Sequence, residues 1–303
     1  MSRADWIAVD WGTSHLRVWQ LSGDQVFRQA QSDQGMGVLA RAGFEPALLA
    51  LVQDWLPEGQ VTPVLACGMV GSRQGWAEAQ YRAVPCTPLG DALAPAPARD
   101  LRLDVHIVPG LKQPRPADVM RGEETQVAGF LKRHPGWDGV ICLPGTHSKW
   151  VHVSAGEVVS FQTFLTGEMF ALLSEQSVLR HSLGGWDAAG FADGAAQGME
   201  RPERLMARLF TIRAESLLDG LDAGVARGRL SGLMIGAELA AAKPYWLGQR
   251  VALIGSEAVA QAYATALQAL SVPVTLHDVT EMTLAGLCAA RALLPKTEQP
   301  CVN

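Results

Sequence analysis

Residues 7–26 read IAVDWGTSHLRVWQLSGDQV: an apolar run broken by Asp10, a Gly12-Thr13-Ser14 turn, then a second run that carries Arg17 and ends at Ser22-Gly23-Asp24. Two apolar stretches joined by turn residues predict a β-hairpin with one carboxylate and several small donors at its tip. The pattern recurs at residues 140–159, VICLPGTHSKWVHVSAGEVV. A shift of 133 (145 minus 12) pairs Gly12 with Gly145, Thr13 with Thr146, Val18 with Val151, Gly23 with Gly156 and Val26 with Val159 without a gap. Leu143 takes the place of Asp10 in the second copy, whose turn offers Gly145, Thr146, His147, Ser148 and Lys149. One copy supplies an acid and the other supplies donors and a cation, a set suited to phosphate oxygens.

Between and after the two hairpins the pattern changes period. Leu48, Leu49, Leu51, Val52 and Trp55 recur at helical spacing and stop at Pro57, which predicts a helix over 44–55. The continuous apolar run 61–69 predicts a strand buried on both faces. It leads into a glycine-bracketed loop containing Met69, Gly71, Ser72 and Trp76, at the strand end where open α/β sheets bind ligands. Gly35, Met36 and Gly37 form a comparable glycine-bracketed turn, a ligand approach or a plain connection. Residues 85–100, with four prolines, read as an irregular surface excursion, and 105–109 as a short buried strand.

Arg121-Gly122-Glu123-Glu124 then stands at the front of a helix with apolar positions Val127, Phe130 and Leu131. Acids there complement the helix dipole, which needs no catalytic role, and the same holds for Glu168 behind a capping Thr166. Helices are predicted over 199–220 and 230–242. In the latter, Gly232 and Gly236 lie four apart, which permits either close helix packing or the flat approach of an adenine ring. A strand-turn-helix unit over 250–270, with Gly255 and Ser256 at its turn, an edge strand over 272–276 and a closing helix over 280–294 complete the chain.

The 303 residues, 48% of them hydrophobic, suffice for two cores, one for each copy of the hairpin. With a net charge of −5 and no basic run interleaved with aromatics, nucleic acid is not an expected partner. Five scattered cysteines without C-x-x-C spacing fit a reduced, cytoplasmic protein, and the opening segment is too short an apolar run for a secretory signal. No stretch approaches the roughly 18 apolar residues of a membrane span. The P-loop pattern and G-x-G-x-x-G are both absent, and no histidine pair has metal-ligand spacing, so no zinc site is expected. What remains is a pair of donor-rich turns able to grip one polyphosphate across a cleft, with Asp10 holding Mg²⁺ through waters.

The combination of DWGTSHLRVW, GMVGSRQGW, VMRGEETQ, LPGTHSKW, LTGEM and SGLMIGAE closely resembles the 2-dehydro-3-deoxygalactonokinase family, within the sugar kinase, actin and heat-shock ATPase superfamily. The resemblance runs over essentially the whole chain. It implies an α/β fold of two similar ribonuclease H-like (actin-like ATPase) domains with an interdomain cleft, over residues 1–133 and 134–303, the helix near 280–295 packing back on the first. It also implies ATP-dependent phosphorylation of 2-dehydro-3-deoxy-D-galactonate at its 6-hydroxyl in galactonate catabolism, with Mg²⁺, and a homodimer. Asp10, Gly12, Thr13 and Arg17 would form the first phosphate and metal loop, and Gly145, Thr146, His147 and Lys149 the second. Gly255 and Ser256 would lie on the adenosine side, with Gly232 and Gly236 flanking the base. Gly35, Met36, Met69, Gly71, Ser72, Trp76, Arg121 and Glu123 would line the acid-sugar pocket, Arg121 taking the substrate carboxylate. Many related sugar kinases use an aspartate of the first domain as the catalytic base, a motif with no match here, which leaves Asp10 and Glu124 as candidates, with Glu123 behind them. An exopolyphosphatase-like phosphohydrolase, with Glu123 and Glu124 positioning water, and an ATP-driven conformational switch are the competing readings.

Overall fold

The structure, a computed structural model, describes residues 5–294. The chain divides into two compact units. Unit 1 runs to Trp137, takes in Ala155–Val158 and resumes at Thr280; unit 2 comprises Asp138–Ser154 and Val159–Val279.

In unit 1 the strands are β1 (Trp6–Trp11), β2 (Leu16–Ser22), β3 (Gln25–Ser32), β4 (Thr62–Gly68), β5 (Arg82–Ala83), β6 (Ala94–Ala96), β7 (Leu103–Ile107), β8 (Leu111–Gln113) and β9 (Asp118–Met120), with helices α1 (Phe44–Val52) and α2 (Glu123–Arg133). The main sheet has the order β3-β2-β1-β4-β7-β6, and β5-β8-β9 form a small second sheet. Alternation along β1 explains its central place. Ile7, Val9 and Trp11 pack with Phe44, Leu48 and Val52 of α1 on one face, while Trp6 and Ala8 pack with Leu287 and Ala290 on the other.

Unit 2 contains β10 (Gly139–Leu143), β11 (Ser148–Ser154), β12 (Glu157–Phe164, begun in unit 1), α3 (Thr166–Glu175), α4 (Ala188–Glu200), α5 (Leu205–Leu218), α6 (Ala223–Ala241), α7 (Lys243–Trp246), β13 (Val251–Gly255), α8 (Glu257–Ala269) and β14 (Val274–Asp278). Its sheet order, β12-β11-β10-β13-β14, repeats that of β3-β2-β1-β4-β7. The last helix, α9 (Val279–Ala290), lies in unit 1 from Thr280 on, where it crosses α2 so closely that a Cβ on Gly286 would stand 1.9 Å from the carbonyl oxygen of Thr125.

The two hairpins are not in the gap-free register that the sequence shift suggests. Asp10 faces Arg17 across the β1–β2 ladder, whereas Leu143 faces Lys149 across β10–β11, so the second turn is one residue shorter. Lys149, not Trp150, is therefore the structural counterpart of Arg17.

Helix boundaries differ from expectation where a local break was hidden by periodicity. The helical pattern over 199–220 resolves into the end of α4 and a separate α5, parted at Arg201-Pro202, because Pro202 has no N–H for a continuing helix. The residues 94–96 inside the proline-rich excursion form edge strand β6 rather than irregular chain. α6 begins at Ala223, capped by the Asp222 carboxylate on the N–H groups of Gly224 and Val225. Among the described residues no helix is long and apolar enough to cross a membrane.

Gly232 and Gly236 take the helix-packing alternative and do not flank a base. Cβ atoms added to Gly190, Gly194 and Gly198 of α4, or to Gly228, Gly232 and Gly236 of α6, would lie 2.1 to 2.7 Å from backbone oxygens of the opposite helix. The two backbones touch along a glycine stripe. Gly232→Ala is expected to lower stability by about 1–3 kcal/mol, the usual cost of overpacking a tight contact, as measured by chemical denaturation.

Candidate phosphate, acceptor and nucleotide sites

In unit 1 the turn after β1 is exposed at Thr13, Ser14 and His15, and is held from behind by a second segment of backbone. Gly35, Met36 and Gly37 donate their N–H groups to the carbonyl oxygens of Ser14 (3.2 Å), Gly12 (3.0 Å) and Thr13 (2.8 Å). The indole of Trp11 reinforces the contact by donating to the carbonyl of Gln34 at 2.9 Å. A Cβ on Gly35 would stand 2.3 Å from the backbone of Thr13 and Ser14. Gly35 is thus a brace for the turn rather than a substrate contact, and the half-buried Met36 packs against the core beneath it.

Asp10 sits at the carboxyl end of β1 with its side chain 18% exposed, 3.6 Å from the Arg17 guanidinium. Burial raises its pKa, and Arg17 partly offsets that rise. The buried Cys67 thiol lies 3.9 Å from the same carboxylate.

The loop after β4 and the front of α2 meet nearby. Gly68, at φ 90°, packs so closely on β1 that a Cβ would lie 2.6 Å from the Trp11 carbonyl, and Gly122, at φ 108°, packs on Gly68 in turn. Met69 and Gly71 form a short 3₁₀ turn leading to Ser72. Arg121 is 8% exposed, donates through Nη2 to the Ala79 carbonyl at 2.8 Å and lies 4.2 Å above the Tyr81 ring. Its Nε and Nη1, and the hydroxyl of Ser72, are buried without a hydrogen-bond partner. Glu123 accepts from the Arg121 backbone N–H at 2.9 Å.

Two residues expected in this site have other roles. Trp76 is 5% exposed, lies in the core beside Trp11 and donates to the Pro97 carbonyl at 2.8 Å. Glu124 is wholly buried, its carboxyl taken up by the Gly122 N–H (2.7 and 3.0 Å) and the Thr125 hydroxyl (3.1 Å). Burial pushes its pKa up to about 8, with the adjacent Glu123 carboxylate adding to the rise. A carboxyl that is protonated at neutral pH and sealed from solvent fixes the start of α2; it is not placed to take a proton from a bound hydroxyl.

In unit 2 the corresponding turn is exposed at Gly145, Thr146 and His147. It too is backed by a second segment: the Glu168 N–H donates to the Thr146 carbonyl at 2.9 Å, and a Cβ on Gly167 would stand 2.1 Å from the Gly145 carbonyl. His147 is hydrogen-bonded to the Glu168 carboxylate, and the buried Lys149 ammonium donates to the His147 carbonyl at 3.2 Å. Gly255 ends β13 against the ring of Pro144, while Ser256 begins the passage into α8.

These parts border a cavity of about 520 Å³ lined by Gly145, Thr146, Thr166, Gly167, Ser256 and residues of α3, α6 and α8. Its walls are tied together by one buried carboxylate that the sequence reading passed over. Glu238 of α6 accepts from Ser148 (3.0 Å), Trp150 (2.8 Å) and Tyr263 (2.7 Å), and also from Thr166, which is therefore a wall residue and not a helix cap. Burial raises the Glu238 pKa while these donors act in the opposite direction. The nearest sequence signal was a lone acid in an otherwise apolar helix, LSGLMIGAELAAA.

Two units with one sheet order, each with a braced donor-rich turn at the end of its first strand, define the actin-like ATPase fold used by sugar kinases. The fold alone is shared with component A of (R)-2-hydroxyglutaryl-CoA dehydratase from Acidaminococcus fermentans, at a TM-score of 0.54 and 13% identity over 94% of this chain and 96% of that one. The family is then specific: the 2-keto-3-deoxy-galactonokinase family model matches residues 10–290, and the chain belongs to that family. It is 38% identical to a protein named Probable 2-dehydro-3-deoxygalactonokinase DgoK1 of Rhizobium meliloti (strain 1021), over 95% of this chain and 97% of the relative. It is 34% identical to 2-dehydro-3-deoxygalactonokinase of Escherichia coli (strain K12), over 90% and 92%. A crystal structure of a Sinorhizobium meliloti protein assigned to the same kinases superposes with a TM-score of 0.87 at 37% identity, covering 98% of this chain and all of that one. Membership makes the chain a phosphotransferase with an alcohol acceptor and ATP as donor, and removes the phosphohydrolase and switch readings.

The state of Glu124 is open to measurement. Its folded carboxyl keeps a proton up to about pH 8, whereas the unfolded one releases it near 4.5, so stability is full at low pH and falls as pH rises through that window. Glu124→Gln, which keeps the acceptor without the charge, is expected to flatten the fall in Tm between about pH 5 and pH 8 in thermal denaturation.

Proposed function

We propose that the chain transfers the γ-phosphoryl group of ATP to the 6-hydroxyl of 2-dehydro-3-deoxy-D-galactonate, with the acceptor held by unit 1 and the nucleotide by unit 2. The observation that carries the acceptor assignment is the set of unpartnered donors at Arg121 Nε and Nη1 and Ser72 Oγ, all buried. A buried guanidinium with open donors is costly until an anion supplies acceptors, and a carboxylate matches its fork. Gly71 supports the assignment, since a Cβ there would lie 2.8 Å from Arg121 Nη1. The two braced turns, at Thr13 and Ser14 and from Gly145 to His147, supply N–H and hydroxyl donors to the phosphates, with the cations Arg17 and Lys149 beside them.

The donor set fits Mg²⁺. Such an ion keeps most of its waters and takes phosphate oxygens, so it needs only one or two protein carboxylates. Asp10, partly exposed beside the first turn, is the residue that would hold it through water, and the ion would neutralise charge developing on the phosphates. Asp10 also accepts the proton of the 6-hydroxyl as that oxygen bonds to phosphorus and the bond to ADP breaks; its raised pKa brings it closer to the range of an effective base.

A coupled assay of ADP formation, run with ATP and a panel of 2-keto-3-deoxy acids, tests this reading. Asp10→Asn is expected to lower kcat about 10²- to 10⁴-fold with little change in the KM of the sugar acid. Arg121→Ala is expected to raise that KM about 10-fold or more, and Arg121→Lys not to restore it, because an ammonium lacks the paired fork. Equal rates of phosphate release with and without the sugar acid would overturn the assignment.

A further inference from the structure

We propose that Trp186 is the nucleobase platform of the unit 2 cavity, the surface on which the purine of the donor nucleotide stacks; this rests on the reading of that cavity as the nucleotide site. Helix α6 provides the scale. Near its carboxyl end Glu238 is bonded to Ser148, the residue next to the exposed turn Gly145 to His147. Arg227 borders the same cavity 11 residues earlier (238 minus 227), about 16 Å along a helix that rises about 1.5 Å per residue. Trp186 belongs to this second end, because a Cβ on Gly224 would stand 3.4 Å from its carbonyl carbon. The phosphate-binding turn and Trp186 therefore mark opposite ends of one elongated cavity, and a nucleotide with its phosphates at the turn places its base at the indole.

The character of that end fits a flat, neutral ring. Trp186 lines the cavity and is 52% exposed, so a face of the indole is open to whatever enters it. Its backbone is fixed on both sides: Gly184 donates to the Ala223 carbonyl at 3.1 Å, and the Asp187 carboxylate caps α4 on the Gly190 N–H at 2.6 Å. The ring leans on Phe191 with centroids 5.5 Å apart, which sets its plane before any ligand arrives. Phe170 adds a second aromatic to the same cavity with the Arg227 guanidinium 5.4 Å over its ring, and Met234 and Ile235 complete an apolar wall. Arg227 and Ser231 are the polar side chains along this stretch of α6, and the guanidinium is already seated on Phe170, so stacking and dispersion on the indole are the main means of recognising a base there. The sequence reading placed the base against Gly232 and Gly236, which are occupied by α4.

Calorimetric titration of ADP and of inorganic tripolyphosphate into the full-length protein separates base from phosphate binding. Trp186→Ala is expected to weaken ADP binding about 10-fold or more while leaving tripolyphosphate binding unchanged, and Trp186→Phe to restore most of the ADP affinity. In turnover the alanine variant is expected to raise the KM for ATP with kcat and the KM of the sugar acid near wild type. Unchanged ADP affinity in Trp186→Ala overturns the proposal alone, as does equal weakening of ADP and tripolyphosphate, which is the mark of a merely structural role. Failure of the wild-type protein to bind ADP overturns it together with the nucleotide reading beneath it.

Discussion

A turn that binds phosphate must leave its N–H groups facing solvent and still hold them in one place. Exposed loops do not do that by themselves, since ordering each residue costs about 1–2 kcal/mol of backbone entropy. The two turns proposed to take phosphate meet this requirement in the same way: a second backbone segment is bonded to the inner side of the turn, and a glycine lets the two come together. Gly35 meets Thr13 and Ser14, and Gly167 meets Gly145 and Thr146, at distances no side chain would allow. The remaining architecture serves these two contacts. β1 and β10 are anchored in mid-sheet between antiparallel and parallel neighbours, so the turns that follow start from fixed points.

Two carboxyl groups near the first turn illustrate how environment assigns roles. Asp10 and Glu124 are both raised in pKa by burial, yet only Asp10 retains an exposed edge and a cationic neighbour in Arg17. Glu124 has no exposed edge, and its oxygens are already engaged by Gly122 and Thr125. Access and hydrogen-bond commitment separate the carboxylate proposed to act chemically from the structural one more clearly than titration does. From sequence the two are equal candidates because no base motif is matched, and spacing carries no information about which acid keeps an edge open to solvent.

What could be read from the chain follows the range of the forces involved. The hairpin repeat, the buried strands β4 and β13 and the amphipathic helix α1 are encoded by local period and were legible, as were the exposed donors at Gly12 to Ser14 and Gly145 to His147. Contacts between distant segments were not. The glycine stripe of Gly228, Gly232 and Gly236 looks the same in sequence whether it receives a ring or another helix, and only the presence of α4 decides it. Trp76 was read by its loop, but its burial depends on Trp11 and Pro97. Glu238 gathers donors from Ser148, Trp150 and Tyr263, up to 90 residues away, and no local pattern announces that convergence.

The difference between the two copies of the hairpin has a physical logic of its own. In unit 1 the ladder position facing the cation Arg17 is Asp10, so the pair is close to neutral and the carboxylate is available to a metal ion. In unit 2 the corresponding position facing Lys149 is Leu143, buried at 3% exposure. A carboxylate there would be desolvated in the sheet and would repel the phosphates proposed for this turn. Hydrocarbon at that position places no negative charge on the ladder beside Gly145 to His147. The same scaffold thus occurs twice, and acid in one copy against leucine in the other is the difference on which the proposed division of labour rests: metal and proton at the first turn, the charge of the donor at the second.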